Sequence, residues 1–168
     1  MLFAAGFGTR MRALTADRPK PLLQVAGRAL IDHALAAVDA AEIGQVVVNL
    51  HYLPEQIQTH LAGRDLLFSV ESPQILETGG GLRKALPLLG PGPVFTLNSD
   101  AVWTGENPLE TLRAAWDPIR MDVLLLLVPK EAAHGHNGKG DFLLDDDGRI
   151  AWGQGAIYSG AQIIRTDL

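Results

Sequence analysis

The sequence predicts an α/β fold in which a doubly wound, mostly parallel sheet of Rossmann-like type carries a β-hairpin insertion. Short apolar, β-branched runs alternate with segments of helical periodicity, the pattern of parallel strands joined by helices. The strand candidates are continuously apolar, as strands buried on both faces are. Near the end of the chain, two short strand candidates flank the turn sequence 145–148 (DDDG), which is typical of a hairpin.

The predicted elements follow one another in the order that such a fold requires. Strands are predicted at 2–4, 45–50, 66–71, 94–97, 122–128 (a buried strand), 142–144, 150–152 and 156–164 (one or two strands). Helices are predicted at 31–41, 54–61, 109–116 and from about 82 onward, where Pro87 should end or kink the last of them. We expect one domain covering 1–168, which is long enough for a hydrophobic core.

Composition excludes several classes of protein. An apolar content of 47% with 20% charged residues excludes a disordered chain. A net charge of −5 argues against a nucleic-acid binder. Without cysteine there is no disulfide and no thiolate metal site. The longest apolar run, 123–128, is too short to cross a bilayer, and no signal peptide is recognisable, so we expect a cytoplasmic protein without a membrane partner.

The most informative stretch is 1–22 (MLFAAGFGTRMRALTADRPKPL). Gly6 and Gly8 allow backbone N–H groups to approach an anion closely. Basic side chains then bring positive charge to the same loop: Arg10, Arg12 and Lys20. Prolines on both sides of Lys20 should hold its backbone extended. These features together predict a polyphosphate site. The stretch lacks the P-loop motif and the third glycine of a dinucleotide fingerprint, so the site is of neither of those two kinds.

Asp100 directly follows the strand candidate 94–97 and its Asn-Ser extension. Magnesium is usually held by one or two carboxylates together with phosphate oxygens and water. A strand-end aspartate that faces a phosphate loop meets this requirement, because ligands of open α/β sheets bind outside the carboxyl ends of the strands. The alternative is a turn-forming aspartate capped by nearby groups.

The segment 77–81 (ETGGG) lacks side chains over three consecutive residues. Backbone without side chains can lie flat against a nucleobase or a ribose. The alternative is a flexible connection between a strand and a helix. His134 and His136, two residues apart, occur without the spacing of a zinc motif, so we expect no zinc site there.

The pattern Gly-x-Gly-Thr-Arg-Met-Arg…Pro-Lys-Pro-Leu within 1–22 resembles the signature of the sugar-1-phosphate nucleotidyltransferases, which make nucleotide-diphosphate sugars. Further matching segments cover nearly the whole chain: 48–53 (VNLHYL), 76–81 (LETGGG), 84–87 (KALP) and 140–142 (GDF). Within the family, the pattern is most similar to members that transfer UMP from UTP to N-acetylmuramic acid α-1-phosphate. The resemblance implies the nucleotide-diphospho-sugar transferase fold, a Mg²⁺ cofactor, and a nucleoside triphosphate and a sugar 1-phosphate as substrates.

The resemblance also implies roles for individual residues. Arg10 would neutralise the β- and γ-phosphates, Lys20 would contact the α-phosphate or the attacking sugar phosphate, and Asp100 would hold Mg²⁺. The nucleotide would be bound by Ala4, Ala5, Gly6, Gly8, Thr9, Arg10, Lys20, Glu77, Thr78, Gly79 and Gly80. The sugar would be bound by Asn137, Gly140, Asp141, Ser159 and Gly160.

The chain departs from the family pattern in two respects. Ala13 stands where the family usually has proline. Family members also continue beyond the position of Leu168 into a segment that carries a second metal-binding aspartate, for which this chain offers only Asp145 to Asp147 and Asp167. Three alternatives therefore stay open: UMP transfer from UTP, the same chemistry with another base and acceptor (such as guanylyl transfer to mannose 1-phosphate or cytidylyl transfer to phosphocholine), and a non-catalytic nucleotide-binding domain.

Overall fold

The computed structural model describes residues 1–135 and 137–167, so His136 lies outside the described residues. The strands are β1 (Leu2–Phe3), β2 (Gln24–Val25), β3 (Arg28–Ala29), β4 (Val47–Leu50), β5 (Leu67–Val70), β6 (Val94–Asn98), β7 (Val123–Val128), β8 (Phe142–Leu144), β9 (Ile150–Trp152) and β10 (Ile157–Ile164). The helices are α1 (Leu30–Ala40), α2 (Pro54–His60), α3 (Glu77–Leu89) and α4 (Pro108–Ala115). None of the helices in the described ranges is long and apolar enough to cross a membrane.

Six of the strands form a central sheet in the order β5-β4-β1-β6-β10-β7. β1 pairs in parallel with β4 and β6, and β4 pairs in parallel with β5. Only β10 runs against its neighbours, since it pairs antiparallel with both β6 and β7. The predicted mostly parallel sheet is therefore confirmed, and its strand order reverses between β1 and β6.

Alternate residues of the central strands face helices on opposite sides of the sheet. Leu2 of β1 lies in the larger hydrophobic cluster, which includes side chains of α1, α2 and α4. Its neighbours Met1 and Phe3 lie in a smaller cluster with Val47 and with Ala85 of α3. This alternation is the period-two geometry of a strand, and it confirms that the sheet is doubly wound.

The hairpin of β8 and β9 forms a separate two-stranded sheet, which confirms the predicted insertion. The Asp145 carboxylate closes its turn by accepting the backbone N–H of Asp147 (3.0 Å) and of Arg149 (2.7 Å). The segment 156–164, left open as one or two strands, is the single strand β10, with a pairing irregularity between Tyr158 and Gln162.

Three local expectations are wrong. α3 begins at Glu77, not near Leu82, and it continues through Pro87 to Leu89, because a proline near the end of a helix removes only one late hydrogen bond. The strand predicted to be buried, β7, lies at the edge of the sheet, where Val123 is 40% exposed. Lys20 begins a 3₁₀ turn (Lys20–Leu22) and is not extended, since the fixed φ of Pro21 suits such a turn.

Candidate functional site

A cleft opens at the carboxyl ends of β1 and β6, where the strand order reverses. Its empty volume, including the open solvent at its mouth, is about 640 Å³. Residues 3–6 line it on the β1 side, residues 98–100 on the β6 side, and residues 75, 77 and 78 just before and at the start of α3. The lining is completed by Lys20, Pro21, Asn49 and Glu71. In open α/β sheets, ligands bind at this kind of switch point.

Lys20 and Asp100 meet at this cleft. The Nζ of Lys20 donates a hydrogen bond to Oδ2 of Asp100 and forms an ion pair with it. The two side chains are 31% and 38% exposed, so both can reach a ligand from the solvent side. Asp100 is held near β1 because the neighbouring Ser99 hydroxyl donates to the carbonyl oxygen of Phe3 at 2.6 Å.

The first loop (residues 4–19) begins as one wall of the cleft and then turns away from it. Ala4 and Ala5 are buried and line the cleft together with Gly6. Gly8 has a φ of +66°, and a Cβ there would lie 3.0 Å from Cβ of Lys20 and 3.0 Å from Cγ2 of Thr15, so glycine is strongly favoured at this position. Gly8, Thr9 and Arg10 do not line the cleft; they lie on the part of the loop beside it.

Arg10 and Arg12 are exposed, and within the described ranges neither side chain forms an ion pair or a hydrogen bond. The backbone of the same loop is anchored at its far end. The Tyr52 hydroxyl shares its one proton in a bifurcated hydrogen bond to the carbonyl oxygens of Thr15 (3.0 Å) and Ala16 (2.9 Å). The two arginines are therefore available to a ligand, while the loop that carries them is attached to the segment before α2.

At the floor of the cleft, two polar side chains that belong to its lining join β1, β4 and β5 to α3. Asn49 accepts the backbone N–H of Ala4 at its Oδ1 (2.8 Å) and donates from Nδ2 to Oε1 of Glu71 (2.8 Å). The Oε2 of Glu71 accepts the backbone N–H of Leu76 (2.7 Å), immediately before α3. Both side chains are buried, with Asn49 3% and Glu71 2% exposed.

Gly81 packs directly against the side chains of Asn49 and Glu71. A Cβ at Gly81 would lie 2.5 Å from Oε1 of Glu71 and 2.9 Å from Nδ2 of Asn49. The glycine-rich segment 77–81, which we expected to be bare backbone before a helix, is the first part of α3 itself. Of its predicted nucleotide-binding residues, Glu77 and Thr78 line the cleft, whereas Gly79 and Gly80 do not.

The predicted sugar-binding residues are not part of the cleft lining: Asn137, Gly140, Asp141, Ser159 and Gly160. Asp141 accepts the backbone N–H of Tyr158 at 2.9 Å, and the Ser159 hydroxyl donates to the carbonyl oxygen of Leu126 at 2.6 Å. Burial raises the pKa of the neighbouring Tyr158 phenol above its ordinary value of 10.0. In this structure these groups therefore contribute to the attachment of β10.

Of the predicted sugar-site residues, Gly160 packs against a residue that lines the cleft. Its φ is +84°, and a Cβ there would lie 2.5 Å from Nδ2 of Asn98, a residue that lines the cleft. Asn49 and Glu71 fall at the carboxyl ends of two predicted strands, where ligands of such sheets bind, and are candidates for that reason. Asn98 directly precedes Ser99 and Asp100 at the end of a third predicted strand, but the sequence assigned no specific role to any of the three.

Residues 1–137 match the family of MobA-like NTP transferase domains. The chain is 42% identical along its full length to N-acetylmuramate alpha-1-phosphate uridylyltransferase of Caulobacter vibrioides, of which it covers 75%. It is 36% identical along its full length to the protein of the same name from Neisseria meningitidis, again covering 75%. The structure also resembles HddC from Yersinia pseudotuberculosis complexed with GMP-PN, with a TM-score of 0.75 and 18% identity over 98% of this chain and 75% of that one. This last likeness confirms the fold.

Proposed function

This chain belongs to the family of MobA-like NTP transferases, and from that membership we propose that it transfers a nucleotidyl group to a sugar 1-phosphate and releases pyrophosphate. The donor that we favour is UTP, and the acceptor is N-acetylmuramic acid α-1-phosphate, the substrate class in the names of two relatives similar over the whole chain. The observation that supports the proposal best is the meeting of Lys20 and Asp100 at the switch-point cleft.

The proposed reaction needs alignment and charge neutralisation more than covalent chemistry. A sugar-phosphate oxygen bonds to the α-phosphorus, the bond from that phosphorus to the bridging oxygen breaks, and pyrophosphate leaves. No general base is required, because the attacking phosphate is already ionised at neutral pH. Lys20 would contact the α-phosphate or the attacking phosphate, and Arg10 would neutralise the departing pyrophosphate.

The nucleoside would lie between the two backbone walls of the cleft. Residues 4–6 form one wall and residues 77–78 form the other. The first wall follows the carboxyl end of β1, and the second is the amino-terminal end of α3. Ala4 and Ala5 carry small side chains, which let a planar base approach the backbone closely.

A magnesium ion would be held by Asp100. Within residues 1–135 and 137–167, no group of three or more histidine and carboxylate side chains forms a complete metal site. One partly exposed carboxylate at the cleft nonetheless suits Mg²⁺, which takes its other ligands from phosphate oxygens and water. When bound, the ion would supply positive charge to the phosphates.

A ligand screen followed by an activity assay tests this proposal. Thermal unfolding is measured with UTP, TTP, CTP, GTP and ATP, each with and without Mg²⁺; a ligand at a hundred times its Kd stabilises the folded state by about 2.7 kcal/mol. We expect a Mg²⁺-dependent shift with UTP, and pyrophosphate release only when N-acetylmuramic acid α-1-phosphate is added. A shift with GTP and turnover with mannose 1-phosphate would favour guanylyl transfer. Binding without pyrophosphate release would indicate a non-catalytic domain, and no nucleotide binding would contradict the proposal.

A further inference from the structure

The hydrogen bonds at the floor of the cleft connect its two walls through two side chains that line it, Asn49 and Glu71. Ala4 belongs to the wall that follows β1, and Leu76 immediately precedes the wall at the start of α3. The hydrogen bonds that connect these two backbone positions are formed by the side chains of Asn49 and Glu71. The backbone of Glu71 is also fixed, because its N–H donates to the carbonyl oxygen of Leu50 (2.7 Å) and its carbonyl oxygen lies 2.8 Å from Nδ1 of His51.

Burying a carboxylate costs free energy that is not expected for a side chain with a purely structural role. Removing a charge from water is unfavourable unless the charge is paired or hydrogen-bonded. The ion pairs formed among the described residues do not include Glu71, so its oxygens depend on the donors from Asn49 and Leu76. The positive end of the α3 dipole supplies further stabilisation.

The hydrogen bonds also have a fixed polarity. The backbone N–H groups of Ala4 and Leu76 can only donate, so the side chains between them must present an acceptor to each. Asn49 meets this need at one end while donating to Glu71, and Glu71 accepts at both oxygens. Rotating the Asn49 amide by half a turn would place its Nδ2 donor against the N–H of Ala4 and its Oδ1 acceptor against Oε1 of Glu71. The hydrogen-bond network therefore determines the orientation of the amide.

We infer that Glu71, acting through Asn49, is a positioning residue that holds residues 4–6 and 76–78 at the separation a bound nucleoside requires. This inference rests on the proposed function, since it takes the two walls as the nucleoside site. Glu71 needs no contact with the reacting atoms. Its effect reaches the nucleotide through the backbone of Ala4 and Leu76.

The first test replaces Glu71 with glutamine, which keeps the shape of the side chain but turns one acceptor into a donor. In Glu71→Gln the new amide N–H₂ faces another donor, which is either Nδ2 of Asn49 or the backbone N–H of Leu76. We expect NTP binding to weaken by about tenfold or more, with KM rising more than kcat falls. Glu55→Gln on the exposed surface of α2 is the matched control and should leave NTP affinity unchanged.

The second test exchanges the two functional groups in the double variant Asn49→Asp with Glu71→Gln. The aspartate accepts from Ala4 and from the glutamine amide, and the glutamine oxygen accepts from Leu76, so all three hydrogen bonds are restored at unchanged net charge. We expect NTP affinity to return to within about threefold of the unaltered chain, because the bridge is complete again. A residue that only stabilised the fold would change the unfolding temperature without changing the Kd of the folded protein.

The possible outcomes separate this inference from the proposed function. Lack of NTP binding by the unaltered chain would overturn both. Normal NTP affinity in a folded Glu71→Gln variant would overturn the positioning role alone. If the single variant does not fold, the double variant decides. Normal affinity would then support the inference, whereas a folded double variant that binds NTP more than about tenfold more weakly would show that the carboxylate acts on the ligand directly.

Discussion

The side chains of Lys20 and Asp100 form an ion pair across the mouth of the cleft, 80 residues apart in sequence. Both are about one-third exposed. Ion pairs in such positions typically stabilise a fold by no more than about 1 kcal/mol. The contact therefore contributes little to folding, and the placement of the two charges at one cleft is better explained by a ligand that uses them.

Replacement of Asp100 with asparagine should abolish Mg²⁺-dependent turnover, because the carboxylate that would hold the ion is lost. The free energy of unfolding should change by no more than about 1 kcal/mol. Turnover and the Mg²⁺ dependence of the nucleotide thermal shift are the measurements. Asp65→Asn, at an exposed position between α2 and β5, is the control. Unchanged turnover in Asp100→Asn would remove Asp100 from the metal site.

Replacement of Arg10 with alanine should lower kcat by about a hundredfold, the usual effect of removing one group that stabilises transition-state charge. Stability should be nearly unchanged, because Arg10 is exposed and forms no hydrogen bond or ion pair within the described ranges. Steady-state kinetics and thermal unfolding are compared with those of Arg83→Ala, an exposed arginine of α3. Equal losses of activity and stability would make Arg10 structural.

Two glycines of α3 should respond oppositely to alanine. Gly81→Ala places a Cβ 2.5 Å from the Glu71 carboxylate, so we expect a loss of about 1–3 kcal/mol in the free energy of unfolding. Gly79→Ala meets no heavy atom within 4 Å and should gain up to about 1 kcal/mol from helix propensity. Urea denaturation measures both. Equal stability of the two variants would contradict the close packing of Gly81 on Glu71.

Replacement of Tyr52 with phenylalanine should loosen the first loop. The change removes the hydroxyl that donates to Thr15 and Ala16, at an expected loss of about 1 kcal/mol. Backbone hydrogen exchange across residues 9–17 should accelerate, and the Kd for NTP should increase. Tyr158→Phe, located on β10, should leave exchange in the first loop unchanged. If exchange in this loop were the same in both variants, the hydroxyl would not anchor it.

The strands and the position of the cleft were predictable because they depend on local pattern. β-branched runs form strands, and parallel strands bring their carboxyl ends to one edge of the sheet, so Asp100 and the first loop could be placed together before the fold was known. The start of α3 was not predictable in this way. Glycine disfavours helices, and the helix begins at Glu77 in spite of Gly79 to Gly81 because Glu71 accepts the N–H of Leu76 and Gly81 fits against it.

Two other results depended on tertiary placement. The apolar run of β7 predicts a strand but not its position in the sheet, and its pairing with β10 alone leaves it at an edge. Asp141 and Ser159 were assigned to the sugar by resemblance, and the structure shows both engaged in hydrogen bonds that attach β10. Their proposed contact with a sugar stays a prediction, which substitution at Asp141 with KM for the acceptor as readout can address.

The two faces of the sheet are packed unequally, and this bears on how the family can diversify. α1, α2 and α4 share one large cluster, whereas α3 is held by a small cluster around Met1, Val47 and Ala85. Segments with few buried apolar contacts open locally at lower free energy than the rest of a domain. Substitutions in α3, the helix that carries one proposed nucleoside wall, should therefore disturb the hydrophobic core least. Under the proposed function, altered base preference can therefore evolve in α3 while the first loop and the sheet stay unchanged.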